Sequence, residues 1–256
     1  MTESSNEQIN QALNLHQAGK LSEAEAIYRA VLARDPRNAS VLDLLGVLAF
    51  QVGQADVAIE LIQESIAIAS DAADAHGHLG VVLVAKGRLA DAIAAYRRAI
   101  ELRSNAPEVH NNLANVEWGT GDQAAAVQQF REALRIQPGI AEWRLNLARV
   151  LATRGEIPEA RFQFERAIRL KPDAAEARLD YGRLLADHSE LAAAIRQLET
   201  AVRLQPDLWR AHFELAMALG RSGNRGAARE HLTIAANGSD TEVRAQALDV
   251  LRQLAR

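Results

Sequence analysis

The chain has 256 residues, no cysteine, and 29 Lys plus Arg against 33 Asp plus Glu, a net charge of -4. Without cysteine there is no disulfide framework, thiolate metal site or cysteine nucleophile, and an acidic balance is the wrong sign for tracking nucleic-acid phosphates. Alanine occurs 50 times and aromatics make up only 4% of the chain, a composition that favours helices with small residues at their contacts.

In chain order, residues 1–10 carry Glu3 and Glu7 where an export signal would be basic, and no apolar core follows. No stretch approaches the length of a membrane-spanning helix. These features predict a cytoplasmic chain with no membrane insertion.

From Ser5 onward the sequence divides into seven segments of 34 residues, starting at 5, 39, 73, 107, 141, 175 and 209 and running to Glu242 without insertion or deletion. One column reads Ala24, Ala58, Ala92, Ala126, Ala160, Ala194 and Ala228. Seven alanines in register by chance amount to roughly one in a hundred thousand per phase. Five residues earlier stand Gly19, Gly53, Gly87, Gly121, Gly155, Ser189 and Gly223, and four residues later Tyr28, Ile62, Tyr96, Phe130, Phe164, Leu198 and Leu232. Further upstream lies a small-residue column of Ala12, Gly46, Gly80, Ala114, Ala148, Gly182 and Ala216.

This pattern predicts two short amphipathic helices per segment. The first, about 14 residues long, ends at the glycine, and the second ends before Pro36, Pro138, Pro172 or Pro206. Pro158 stands near the start of a second helix, where its missing N–H is harmless. No pair can bury its apolar stripe alone, so neighbours must stack. After the seventh pair, Asn237-Gly238 stops a helix and Ser239-x-x-Glu242 reads as a capping box opening a last one. Its Val243, Ala247, Val250, Leu251 and Leu254 form a single stripe.

These columns resemble the tetratricopeptide repeat, most closely in Leu79-Gly80, Leu83, Ala92, Tyr96 and Ala99. The resemblance covers Ser5 to Glu242. It implies an all-α, right-handed α-solenoid spanning 1–242, with 243–256 as a C-terminal capping helix and no domain boundary between repeats. Glu117, in a column normally large and apolar, and His188-Ser189, in place of the usual glycine, depart from the pattern and suggest a local bend.

The residues offer little chemistry. None of the seven histidines forms an i, i+4 pair, and His76, His110 and His212 share one column that reads as packing. Gly119-Thr120-Gly121 lacks the Lys-Ser/Thr of a phosphate loop, and no nucleophile, base and oxyanion set assembles. No catalysis, metal or cofactor is expected.

Function then falls to the concave groove that the resemblance implies, lined by the first helix of each pair. Its residues in the first three repeats include Ile9, Leu13, Val47, Phe50, Val81 and Val84, an apolar strip that either binds or tucks against neighbouring helices. Repeats four and five supply Asn111, Asn112, Asn115, Trp118, Asn146 and Arg149. Asparagine is a poor helix-interior residue, and its amide can pair with an extended peptide backbone. Beyond lie Asp180, Arg183, Arg210, Glu214 and Arg221, with Asp180 and Arg183 spaced to neutralise each other on one helix. Residues 1–140 are net -6 and residues 141–256 net +2, an asymmetry able to orient a partner.

Within the family, Asn115 and Asn146 match a co-chaperone carboxylate clamp, but Asn111, Glu176 and Asp180 stand where its cations belong, which excludes it. The segment VHNNLANV at 109–116 is similar to the repeat arm of O-linked N-acetylglucosamine transferases, whose asparagine ladder Asn112 and Asn146 would continue. Leu44, His78, Asp180 and Glu214 interrupt that ladder. The expectation is a non-catalytic scaffold holding an extended segment of a protein or peptide partner. The alternative is a regulatory or substrate-recruiting subunit of an enzyme such as a glycosyltransferase. Nucleic acid is not an expected partner, and self-association through the polar first helix, with Gln8 and Gln11, would be weak.

Overall fold

The computed structural model describes the backbone of residues 3–254 and the side chains of residues 5–254. Among these residues every regular element is a helix. The first four repeats hold α1 (Glu3–Gln17) and α2 (Leu21–Arg34), α3 (Ala39–Gln51) and α4 (Ala55–Ile68), α5 (Ala73–Ala85) and α6 (Leu89–Leu102), α7 (Pro107–Gly119) and α8 (Gln123–Ile136). The last three hold α9 (Ala141–Thr153) and α10 (Ile157–Leu170), α11 (Ala175–Asp187) and α12 (Leu191–Leu204), α13 (Trp209–Arg221) and α14 (Arg225–Ala236), followed by α15 (Thr241–Leu254). The chain divides into two compact units, one through Pro138 and one from Gly139. Within each, consecutive helices pack as hairpins and each hairpin packs on the next.

Every hairpin turns by the same device. Six of the column glycines take φ between +72° and +93°, a region that only glycine enters without a Cβ penalty. The amide after each donates to the carbonyl five residues back, as from Lys20 to Leu15, Arg88 to Leu83 and Glu156 to Leu151, all at 2.9 Å. This bond satisfies a carbonyl the helix end leaves open. Ser189 adopts φ +63° in the same place, and Glu190 N–H still reaches Leu185 O at 2.9 Å. The hydrogen bonding of that turn matches its neighbours, so the bend suggested by His188-Ser189 is absent from it.

Second helices and caps follow local chemistry. Asn38, Asp122 and Asn224 accept from the amides of Val41, Ala125 and Ala227. The closing helix corrects the sequence reading. It starts at Thr241 rather than 243, because Asp240 Oδ1 accepts from the amides of Glu242 and Val243, each at 3.0 Å. Ser239, expected to cap, instead accepts from Trp209 Nε1 at 3.1 Å. Residues 255–256, counted in the capping helix, lie outside the described residues.

Packing inside each hairpin sets a small residue against a large one. Tyr28, Ile62, Tyr96, Phe130, Phe164, Leu198 and Leu232 are all buried. A Cβ on Gly80 would stand 2.4 Å from the Tyr96 ring, and one on Gly46 or Gly182 would stand 2.6 Å from Ile62 or Leu198. Burying each large side chain contributes roughly 1.5–3 kcal/mol, so the seven together outweigh every polar contact described below.

A second column ties the third, fourth, sixth and seventh repeats to the turn before them. His76, His110 and His212 donate through Nε2 to the carbonyl six residues upstream, at 3.2, 3.0 and 3.1 Å, and Arg178 Nη2 does the same at 2.9 Å. On their other side His110, Arg144 and Arg178 meet Gln129, Gln163 and Gln197 of the paired helix at 2.7, 2.9 and 3.0 Å. The column is a packing and latching column, as its histidines suggested.

Helix α7 breaks the rules that its neighbours keep. Glu117 is 1% exposed in the column that holds Leu83, Leu151, Leu185 and Leu219 elsewhere. Its Oε1 accepts from Arg97 Nη2 at 2.9 Å, but Oε2 is buried without a partner, and so is Asn111 Oδ1 on the same helix. Burial pushes the Glu117 carboxyl above the usual carboxylate range against the pull of Arg97. Folding therefore favours its protonated form, a contribution present in acid and lost as pH rises through the raised pKa.

Two substitutions follow. Ser189→Gly removes a left-handed Cβ and raises stability by about 1 kcal/mol, read as a higher urea midpoint at unchanged slope. Glu117→Leu leaves exposed Arg97 in water and raises stability by roughly 1–3 kcal/mol near neutrality. That gain shrinks as pH falls through the raised pKa and the native carboxyl of the parent protonates; a pH-independent gain would contradict the assignment.

Candidate functional site

In the first unit, α5 and α7 stand side by side and flank an open cavity of about 360 Å³. Val81 and Val84 form one wall and Asn112 and Asn115 the other, with Leu89 and Tyr96 of α6 contributing beneath. The cavity exists because of two glycines. Gly80 lets the Tyr96 ring lie against α5. Gly119, where other repeats carry Thr153, Asp187 or Arg221, has nothing within 4 Å of its Cβ direction and leaves the site open.

The cavity is electrically neutral. No charged residue lines it, and burial raises the Tyr96 phenol to about 12, so it stays protonated at any physiological pH. Val81 is 36% exposed and Asn115 is exposed, while Val84 and Asn112 are half-buried. Four sequence-predicted residues thus meet at one place. Trp118 is half-buried on α7 and does not line the cavity. Val47 and Phe50 on α3 are half-buried, with Phe50 packed against the core of repeats two and three. Asn111 differs from the expectation of a groove amide: its Oδ1 is sealed inside the stack.

Beside this site, buried Asp43 of α3 and His78 of α5 form a pair, with His78 Nδ1 3.0 Å from both carboxylate oxygens. Burial lowers the His78 pKa, but the bond to Asp43 and its charge outweigh that and raise it overall. This pair stabilises fully below the ordinary histidine pKa and loses its contribution as pH rises through the raised one.

In the second unit, Asn146 and Arg149 line another cavity, of about 550 Å³, with Lys171, Asp173 and Glu176. Arg149 of this cavity begins a series of ion pairs along the first helices and α15. Arg149 Nε donates to Asp180 Oδ2 at 2.7 Å, Arg183 Nε meets Glu214 at 3.4 Å, and Arg210 Nη2 meets Glu242 of α15 at 3.2 Å. The expected Asp180–Arg183 neutralisation within one helix is replaced by this ladder. Reading the columns across repeats would have found it: Arg149 and Arg183 each lie 31 residues before the acid that they meet, and Arg210 lies 32 before Glu242. Burial raises the Glu214 pKa against the pull of Arg183 and Arg210.

Among the described residues, no group of three or more His, Asp or Glu is placed to hold a metal, and no helix is long and apolar enough to cross a membrane.

Helix hairpins repeating at a fixed 34-residue period, with their variable chemistry on the first helices, define an all-α helical-repeat protein. The chain belongs to the tetratricopeptide-repeat family: a model described as "Tetratricopeptide repeat" matches residues 9–73, 111–175, 145–207 and 179–241, and one described as "TPR repeat" matches 80–121. Among solved structures, the C-terminal part of a TPR repeat-containing protein from Cytophaga hutchinsonii is 16% identical, with 94% of this chain and 98% of that one covered at a TM-score of 0.74. YrrB, described as a TPR protein with an unusual peptide-binding site, is 24% identical over 73% of this chain and 97% of its own, TM-score 0.63. Pseudomonas aeruginosa pilF is 22% identical over 78% and 91%, TM-score 0.65. These likenesses concern the fold. No curated protein matches the chain.

The ion-pair ladder makes a quantitative expectation. A double-mutant cycle between Arg149→Ala and Asp180→Ala yields a coupling of about 1 kcal/mol, while the cycle between Asp180→Ala and Arg183→Ala yields about zero. Equal couplings would mean that the pairing runs along the helix instead.

Proposed function

We propose that this protein is a non-catalytic interaction module that holds an extended stretch of a partner protein across the first helices of repeats three and four, one apolar side chain seated between α5 and α7. The observation that carries this reading is the neutral cavity itself, apolar beneath and edged by two amides. Burying a single apolar anchor supplies most of the affinity at such sites, and the Asn112 amide on the cavity wall offers the donor and acceptor that a peptide backbone needs. The volume of about 360 Å³ is at the lower end for ligand pockets, enough for one side chain rather than a cofactor.

Two further features support it. The first-helix face of the second unit is occupied by its own ion pairs, which a partner would have to displace. Helix α7 keeps two unsatisfied buried polar atoms, and departures of that kind concentrate where function overrides stability. The peptide-binding site named for YrrB shows that such a fold serves this purpose in another protein. A cytoplasmic setting belongs to the same reading, since a cysteine-free chain needs no oxidising compartment.

Peptides selected on the intact chain from a phage-displayed random library provide the test. Gly119→Leu, which fills the cavity, and Val84→Asp, which charges its wall, each weaken the selected peptides at least tenfold by fluorescence anisotropy, about 1.4 kcal/mol. Arg183→Ala leaves binding nearly unchanged. Peptides that bind Gly119→Leu as tightly as the parent, with helicity intact, would remove the cavity as the seat.

A further inference from the structure

His212 on α13 and His231 on α14 face each other with their Nδ1 atoms 2.9 Å apart and ring centroids 5.1 Å apart. His212 Nε2 lies 3.1 Å from Pro206 O, which can only accept, so that nitrogen carries the hydrogen. The His212 Nδ1 lone pair then accepts, and His231 must donate from Nδ1. The two neutral rings are held in opposite tautomers. One added proton is accommodated on His231 Nε2. A second puts N–H on both facing nitrogens with no acceptor between them.

The equivalent positions in the preceding repeats show what this pair replaces. There the partner is Gln129, Gln163 or Gln197, facing His110 or the permanently charged Arg144 and Arg178. A glutamine turns its oxygen toward a charged donor without difficulty; a second imidazole cannot. Among the repeats with this latch, the seventh alone sets base against base.

We propose that the His212–His231 pair is a proton-operated latch that keeps the seventh repeat and α15 closed near neutrality and releases them in mild acid. His231 directly precedes Leu232, which packs with Ala216, Ala235, Val243 and Ala247 beneath α15, so parting α13 from α14 at the histidines loosens the surface that α15 covers.

The charged surroundings do not cancel the effect. Burial lowers both histidine pKa values, and His231 lowers that of His212 further. Glu230 on α14 and Glu199 on α12 act in the opposite direction on His231 without overcoming burial. The charged residues of α11 and α15, Asp187, Arg183 and Glu242, act on Glu214 and Arg210 of α13 instead. With both folded pKa values lowered, the stabilisation is complete above the ordinary histidine pKa of about 6.5 and is lost as pH falls through and below it.

Hydrogen exchange of the full chain, corrected for intrinsic rates and compared between about pH 7.5 and about pH 5, tests this. Protection of α13–α15 drops at least tenfold more than that of α9–α12 in the parent, and His231→Gln, which restores the glutamine of the earlier repeats, abolishes that excess. Long-range ¹⁵N–¹H correlation spectra of the unaltered protein at neutral pH show Nε2–H on His212 and Nδ1–H on His231. The same tautomer on both rings, or an equal acid-induced loss in His231→Gln, overturns the proposal.

Discussion

Everything in this chain depends on how closely the two helices of one hairpin approach. A glycine or alanine on the first helix faces a large apolar residue on the second, and where the small residue is glycine even a methyl group would collide with that neighbour. The pairing sets the interhelical spacing, and the spacing decides which side chains of the next repeat can reach across. The latch column, with its carbonyl six residues upstream and its partner on the second helix, works only because that distance is repeated. Cores so closely packed do not deform gradually, so polar variation is confined to columns that the packing does not need.

The first-helix columns are where that freedom is used, and the two units use it differently. In the second, arginines and acids are set one repeat apart and satisfy one another, giving a face that is charged in composition and neutral in effect. In the first, valine and asparagine leave an opening that nothing in the hairpin fills. Histidine pairs also diverge: Asp43–His78 is strengthened by protonation, whereas two imidazoles sharing one hydrogen lose their bond once both are protonated. Neither effect alters the packing columns.

Much of the architecture was legible from the spacing alone. Helix existence, the glycine turns and the buried columns follow from a period of 34 and elementary helix chemistry. What the sequence concealed was the direction of individual polar groups. Asn111 and Asn112 are adjacent and identical in type, yet one buries its carbonyl oxygen and the other lines the cavity, because adjacent helical positions differ by about a quarter turn. Asp180 and Arg183 were at reach on one helix, but Arg149 of the preceding repeat donates to Asp180 at 2.7 Å and Arg183 turns to Glu214. Ser239 lost its capping role to Asp240 because the Trp209 indole claimed its hydroxyl. In each case a neighbour distant in sequence decided among locally equivalent options.

The seven turns have one more implication. Each is closed by backbone hydrogen bonds among residues of its own hairpin. A 34-residue cassette therefore carries its own turn, and copying or deleting one demands agreement at the two surfaces where hairpins touch and bury each other's apolar stripes.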